Sequence, residues 1–472
     1  MSDPGELAGC RLLVLGLGAS GLSMVRLALS RGARSIAVHD SRERPPGLDE
    51  LRRIAPAARC HSGPLVASHF TDIDCIAISP GVSPNQFPIR NAVAAGIPLL
   101  GDIELFARSL PDGAARPVVL AVTGTNGKTT VTTLAGALAR AGGFDVEVAG
   151  NIGPPALDAL LAREAAGRMP QVWVLELSSF QLETTSSLPV DAAVMLNLTE
   201  DHLDRHDGLA AYAAAKARIF RSARLQVLNR DDPASLAMRT GTLPVLDFGL
   251  DAPAGPGHYG LARGADGSLF LADGERHVLP LEALRLAGRH NASNALAALA
   301  LVQPLGIPQS RLAAALREFA GLAHRVELVA ECGGVRFYDD SKGTNVGATV
   351  AALNGLGASL ATTSSQSGRI VLIAGGDGKG QRFEPLCDPV RRYVREVVLI
   401  GRDALRIERT LAGTVPIRQA TDMPDAVARA RAVAAPGDAV LLSPACASLD
   451  MFRDYAHRAE VFIAAVKEST RA

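Results

Sequence analysis

The stretch AVTGTNGKTT, residues 121–130, gathers the residue types that hold a polyphosphate. Gly124 and Gly127 let the loop's backbone N–H groups turn towards phosphate oxygens. Lys128 can neutralise the terminal phosphates, and the hydroxyl of Thr129 or Thr130 can ligate Mg²⁺. An apolar run, PVVL, precedes the loop and a helical run, TLAGALARA, follows it, so the loop would sit between a strand and a helix N-terminus. Only Thr125 and Asn126 separate the two glycines, whereas the general phosphate loop places four residues before its Gly-Lys pair. The bland alternative is a glycine turn carrying an exposed lysine.

A second loop, LVLGLGASGLS, places Gly16, Gly18 and Gly21 after a strand and before a helix, with Asp40 at the end of the next apolar run. This is the pattern of a dinucleotide site, but any diphosphate ligand can use the same small residues and helix N-terminus. On the residues alone, NAD, FAD, another nucleotide and a structural turn all stay open.

Both loops need sheets behind them. In residues 1–112 the runs RLLVLGLG, SIAVHD and DCIAISPG end in Gly or Asp, as parallel strands covered by helices do. Residues 113–321 supply PVVLAVTG, QVWVLELSS, DAAVMLNLT and LQVLNRDD, with a helical stretch LAAYAAAKARIF between the last two. Residues 322–472 supply RIVLIAGG, REVVLIGRD and DAVLLSPA. Breaks fall in SLPDGAARP and FAGLAHR, and 472 residues suffice for three units. The predicted fold is α/β with three domains, each built on a largely parallel sheet: Rossmann-like, P-loop ATPase-like, and Rossmann-like again. Ligands of such sheets sit at the carboxyl ends of strands, where the polar residues of these runs cluster.

Lys plus Arg and Asp plus Glu each total 48, so no net field draws the chain to nucleic acid or an anionic membrane. An anionic ligand has to be held by local groups. No run reaches the roughly 18 apolar residues of a membrane span, and MSDPGELAGC has no apolar leader. The expectation is a cytoplasmic monomer with no membrane span and no nucleic-acid partner. Cys10, Cys60, Cys75, Cys332, Cys387 and Cys446 are scattered without CxxC spacing, which suits reduced thiols, mostly in the core. LATTSSQSG, residues 360–368, reads as a mobile surface loop.

GTNGKTT resembles the shortened ATP loop of the Mur ligase and folylpolyglutamate synthetase superfamily. The resemblance continues through GNIG (150–153), ELSSFQLE (176–183), NLTEDHLDRH (197–206), GRHNASNALAALA (288–300), HRVE (324–327), DDSKGTN (339–345), GGDGKG (375–380) and LSPACASLD (442–450). GTNGKT marks only the superfamily. ELSSFQLE, DSKGTN and LSPACASLD are similar to its D-glutamate-adding branch in peptidoglycan synthesis. That resemblance implies an ATP- and Mg²⁺-dependent amide ligase. It would join the carboxylate of UDP-N-acetylmuramoyl-L-alanine to the amine of D-glutamate through an acyl phosphate, giving ADP and phosphate.

The resemblance also implies roles for residues. ATP would meet Gly124, Thr125, Asn126, Gly127, Lys128, Thr129 and Thr130, with Asn294, Arg325, Asp340 and Lys342 around it. Thr129 and Glu176 would hold one Mg²⁺, and His202 and Lys216 a second, Lys216 as a carbamate. Lys128, Glu176, His202 and Lys216 form the implied catalytic set. By spacing alone, His202 is a surface or capping residue and Lys216 an exposed helical lysine.

The UDP substrate would meet Ser20, Asp40, Ser41, Arg42, Ser79, Pro80 and Gly81, with Asn151 on its muramoyl-peptide part; Asp40 then faces uracil rather than an NAD ribose. D-Glutamate would meet Thr344, Lys379, Ser448 and Tyr455. Tyr455 stands where the family often has Phe, and Gly343 where Ala is common, a change expected to loosen that loop. ATP residues flank the 319–325 junction, which predicts closure of the third block onto the second. An ion pair between Arg325 and Asp340 is the bland alternative there. Two rivals remain: another ligase of the superfamily, such as folylpolyglutamate synthetase, and a non-catalytic sensor of a UDP precursor or dinucleotide.

Overall fold

The computed structural model describes residues 7–471 except 204, 242, 287 and 364–367. Three sheets succeed one another along the chain. The first holds β1 (Arg11–Leu15), β2 (Ser35–Asp40), β3 (Arg59–Ser62), β4 (Cys75–Ile78) and β5 (Leu99–Gly101), all parallel in the order β3-β2-β1-β4-β5. The run RLLVL is a strand because both of its faces are covered. Leu12 and Val14 join the core that contains Met24 and Val25 of helix Ala19–Ser30, while Leu13 and Leu15 join Ile89 of helix Phe87–Ala94.

The second sheet holds β6 (Val118–Thr123), β7 (Val146–Gly150), β8 (Val172–Glu176), β9 (Ala192–Met195), β10 (Gln226–Asn229), β11 (Val245–Phe248), β12 (His258–Arg263), β13 (Leu269–Asp273) and β14 (Arg276–Pro280). Their order is β14-β13-β12-β11-β10-β9-β6-β8-β7, parallel except for the antiparallel meander β12-β13-β14. Helices Lys128–Ala141 and Arg289–Leu301 cover one face. The other face shares a core with the first unit, where Trp173 of β8 meets Phe106 edge-on at 4.9 Å.

The third sheet holds β15 (Glu327–Cys332), β16 (Val335–Asp339), β17 (Ile370–Gly375), β18 (Val394–Ile400), β19 (Ile417–Gln419) and β20 (Ala439–Leu442). The order is β15-β16-β20-β17-β18-β19, with only β15-β16 antiparallel.

The sequence reading misses β3 and β5 of the first sheet, β7 and β11–β14 of the second, and β15, β16 and β19 of the third. Most of these lie at a sheet edge or in the meander, and all are short or interrupted by polar residues, without the continuous apolar runs that marked the central parallel strands. LATTSSQSG also needs correction. Its first four residues complete helix Val346–Thr363, whose apolar face extends through Leu353, Leu356 and Leu360, and residues 364–367 lie outside the described part. Cys10, Cys75 and Cys446 are buried, Cys60 is exposed, and all six thiols are free. Among the described residues no helix is long and apolar enough to cross a membrane.

Candidate active site

Two cavities lie at the carboxyl ends of the first two sheets. The larger, about 720 Å³, is lined by Ser20, Asp40, Ser41, Arg42, Ser79, Pro80, Gly81 and Asn151, together with Gly16, Gly18, His39 and Gln181. Helix Ala19–Ser30 opens here with no side-chain cap, so its first N–H groups remain available to an anion. Gly21 is required by packing: a methyl group there would overlap the Gly16 carbonyl. Ser79 Oγ donates to that same carbonyl at 3.0 Å and ties β4 to the loop. Asp40 accepts from Leu17 N at 2.8 Å and from Arg42 Nε and Nη2 at 2.8 Å each, and the Arg42 guanidinium holds its carboxyl well below the usual range.

The smaller cavity, about 270 Å³, is lined by Thr125 to Thr130, Glu176, His202, Asn294, Arg325, Asp340, Lys342 and Thr344. It continues into a further cavity of about 480 Å³ through Thr130, Asn291, Arg325 and Val326. Gly127 is left-handed, with φ +82°, and a side chain there would collide with the Asn294 amide. The compressed loop is held by Asn197: its carbonyl accepts from Thr125 N (2.9 Å), its Oδ1 from Asn126 N (2.8 Å), and its Nδ2 donates to Asn126 O (3.1 Å). Sequence reasoning missed Asn197, although its place just past β9, beside β6, was a usable signal.

Lys128 Nζ donates to Gly124 O at 2.9 Å and to Thr125 O at 2.8 Å, which folds the ammonium under the loop, and burial pushes its pKa down. Lys216 is fully buried rather than exposed. Its Nζ also donates to Gly124 O, at 2.8 Å, and sits 4.6 Å above the Tyr212 ring. Burial, with Lys128 nearby, drives its pKa well down.

Glu176 ends β8. Its Oε1 accepts from Asn151 Nδ2 at 2.8 Å, while its buried Oε2 has no protein partner. The helix after it starts reliably because Ser178 and Gln181 cap each other reciprocally, Gln181 N donating to Ser178 Oγ and Ser178 N to Gln181 Oε1. His202 is not a plain capping residue: it has φ +54° and lies edge-on to Phe180 at 5.0 Å.

From the third sheet, Arg325 and Asp340 both reach the cavity. Asp340 takes its hydrogen bond from Ser443 Oγ (2.7 Å), and no ion pair joins it to Arg325. Burial raises the Asp340 pKa to about 7. The Gly343 loop is tight, because Gly343 N donates to Asp340 O (2.8 Å) and its carbonyl accepts from Ala445 N (3.0 Å). Of the four residues expected at glutamate, Thr344 lines the cavity. Lys379 pairs with Asp201, Ser448 is buried after β20, and the Tyr455 ring lies 3.7 Å under Lys342 Nζ. Asp201, Asn345 and Gln181 are further site residues that the sequence reading did not single out.

A compressed phosphate loop on a parallel sheet, flanked by two other α/β units, defines an ATP-dependent ligase architecture. The descriptions "Mur ligase MurD-like, N-terminal domain", "Mur ligase middle domain" and "Mur ligase, glutamate ligase domain" match residues 10–101, 122–302 and 324–446, and the chain belongs to the Mur ligase family. Within it, the chain is 55% identical to a UDP-N-acetylmuramoylalanine–D-glutamate ligase of Aromatoleum aromaticum, covering 98% of each. It is 52% identical to that of Nitrosomonas europaea, covering 97% of this chain and 96% of the other. Among solved structures, MurC from Thermotoga maritima shares the fold with TM-score 0.59 at 19% identity, over 98% of this chain and 100% of that one. MurF from Acinetobacter baumannii does so with TM-score 0.59 at 16% identity, over 99% and 93%.

Proposed function

We infer that the chain joins the L-alanine carboxylate of UDP-N-acetylmuramoyl-L-alanine to the amino group of D-glutamate, converting ATP to ADP and phosphate through an acyl phosphate. The observation that carries this reading is Asn151, which lines both cavities and donates to Glu176 at 2.8 Å. A nucleotide-sugar substrate lying in the larger cavity would deliver its far end beside the phosphate loop. The helix N-terminus at Gly18 would take the diphosphate, and Asp40 with Arg42 would frame the base.

ATP and Mg²⁺ serve this family, and the donors fit. Thr129 offers a hydroxyl and Glu176 a buried, unpartnered carboxylate oxygen, the hard ligands that Mg²⁺ takes. Bound there, Mg²⁺ would neutralise phosphate charge and orient the phosphate oxygens. Lys128 would leave the Gly124 and Thr125 carbonyls to meet the γ-phosphate as it transfers, with Arg325 and Lys342 supplying positive charge from the third sheet. The substrate carboxylate attacks that phosphorus, ADP leaves, and the glutamate amine then displaces phosphate from the acyl carbon. Closure of the third unit keeps water from the acyl phosphate.

A second cation would lie between His202 and Lys216. An amine is a poor ligand for Mg²⁺, but the depressed basicity of buried Lys216 supplies the free amine that adds to CO₂. The new N–C bond yields a carbamate and releases one proton, leaving an oxygen ligand of the kind Mg²⁺ prefers. Thr344, Lys379, Ser448 and Tyr455 remain our assignment for glutamate, and divisions at 112/113 and 321/322, each between two sheets, remain our domain boundaries.

Phosphate release tests the reading directly, with ATP, Mg²⁺ and UDP-N-acetylmuramoyl-L-alanine and with D-glutamate, L-glutamate or no acceptor. Release that requires D-glutamate is expected. Release with L-glutamate alone would keep the chemistry and overturn the acceptor.

A further inference from the structure

His206 is buried four residues beyond His202 in a turn where Arg205 N (3.0 Å) and His206 N (3.1 Å) both donate to the His202 carbonyl. His202 itself is held at φ +54°, a conformation that costs a non-glycine residue energy and persists only where its surroundings enforce it. His206 is linked to His202 by that backbone hydrogen bond and, through its ring, by Phe180. Its Nδ1 faces the Glu183 carboxylate at 3.5 Å, which favours the proton on Nδ1 and leaves Nε2 to accept from the Ser179 hydroxyl at 3.0 Å. Glu183 is fixed in turn by Arg205 at 2.7 Å.

The ring makes two further contacts. One face stacks on Phe180, with centroids 5.5 Å apart and planes 21° from parallel, and Phe180 meets the His202 ring edge-on at 5.0 Å. The ring also lies 5.1 Å from that of Tyr212, above which Lys216 Nζ sits at 4.6 Å. One imidazole therefore backs both aromatic walls, one against His202 and the other against Lys216. It is tethered by the Ser179 hydrogen bond at one nitrogen and faces the Glu183 carboxylate with the other, so the ring restrains both walls.

We propose that His206 is a positioning residue that sets the separation of His202 and Lys216 for the second divalent cation. The proposal rests on the reading above that these two side chains hold that cation. A strained ligand backbone, an aromatic spacer on each side and a ring tethered by Ser179 and Glu183 between them form one rigid unit. Such supports orient ligands, and their loss commonly weakens metal affinity about 10- to 100-fold.

The test is a Mn²⁺ titration followed by electron paramagnetic resonance, on the full-length protein with a non-hydrolysable ATP analogue. It compares the wild type with His206→Phe, Ser179→Ala and His202→Ala. His206→Phe keeps an aromatic ring against Phe180 and loses both polar contacts; Ser179→Ala removes the hydrogen bond and leaves the histidine in place. The expected result is two Mn²⁺ ions in the wild type and one in His202→Ala. In His206→Phe the second ion should bind at least tenfold more weakly, with a smaller loss in Ser179→Ala and no change in the first ion. In parallel, the Mg²⁺ concentration for half-maximal turnover should rise in the same order while the KM for D-glutamate holds.

Wild-type affinity for the second ion in both His206→Phe and Ser179→Ala would overturn the positioning role while leaving the metal assignment intact. Two ions in His202→Ala, bound as in the wild type, would instead overturn the metal assignment, and the positioning role with it. The two failures are therefore distinct, and melting temperatures of all four proteins separate either from misfolding.

Discussion

Lys379 of the third unit reaches Asp201 of the second, Nζ to Oδ1 at 3.3 Å, with Asp201 buried and Lys379 largely so. The other Asp201 oxygen accepts from Asn345 Nδ2 at 3.2 Å, and the same amide donates to Asn126 Oδ1 at 2.9 Å on the phosphate loop. Arg382 adds an exposed pair with Glu200 at 2.8 Å. The side chain assigned to a glutamate carboxylate thus already rests on a protein carboxylate, and that contact draws the third unit against the loop. Glutamate and Asp201 present the same group to Lys379.

Asp201→Asn should therefore open the ligand-free protein. Removing one partner of a buried pair leaves the other charge uncompensated, a loss of several kcal/mol. Small-angle scattering should give a larger radius of gyration for the variant, and kcat/KM for D-glutamate should fall by roughly tenfold or more. An unchanged scattering profile would show that the Lys379–Asp201 pair does not hold the third unit against the loop.

Lys128→Met should separate stability from catalysis. The ammonium is held by two carbonyls and disfavoured by burial, so an apolar side chain of similar length should leave the melting temperature equal or higher. Loss of the charge proposed to meet the transferring phosphate should lower phosphate release by about 10²–10³ or more. A variant that melts lower and still turns over would reverse both assignments.

The sequence made the loops legible because each rests on local chemistry. GTNGKTT needs only a strand before it and a helix after it, and Gly21 needs only a nearby Gly16 carbonyl. The central parallel strands were readable from their unbroken apolar runs. The β12–β14 meander was not, because its half-exposed strands mix polar and apolar residues. The burial of Lys216 was hidden for a different reason: an Ala-rich helix such as GLAAYAAAKA has no polar face to show which side is covered. Asn197, Asp201 and Asn345 act through partners up to 219 residues away, and only the fold brings those together.

Asp340 gives a pH signature. Burial raises its pKa to about 7, against about 3.9 in an unfolded chain. Between those values the folded protein binds a proton that the unfolded chain does not, so this group's contribution to stability falls as pH rises from about 4 to about 7 and is flat above. The full span is on the order of 4 kcal/mol. Asp340→Asn has no such dependence, so wild-type stability should decline relative to the variant between pH 5 and pH 7.5, as followed by denaturant unfolding. Parallel curves for the two proteins would remove the assigned shift.

Lys216 should take up CO₂. Its amine is buried, carries a strongly depressed pKa, donates to the Gly124 carbonyl and sits over the Tyr212 ring. Protein equilibrated with ¹³C-bicarbonate should show a carbamate carbon resonance that is absent from Lys216→Arg, since guanidinium stays protonated and does not add to CO₂. Mg²⁺ should sharpen the effect, because a divalent cation that binds the carbamate pulls the equilibrium towards it. In Lys216→Ala, turnover should collapse and be partly restored by a short carboxylic acid that fits the space the side chain vacates. A carbon spectrum identical in wild type and Lys216→Arg, with or without Mg²⁺, would leave Lys216 as a buried amine and require another ligand for the second cation.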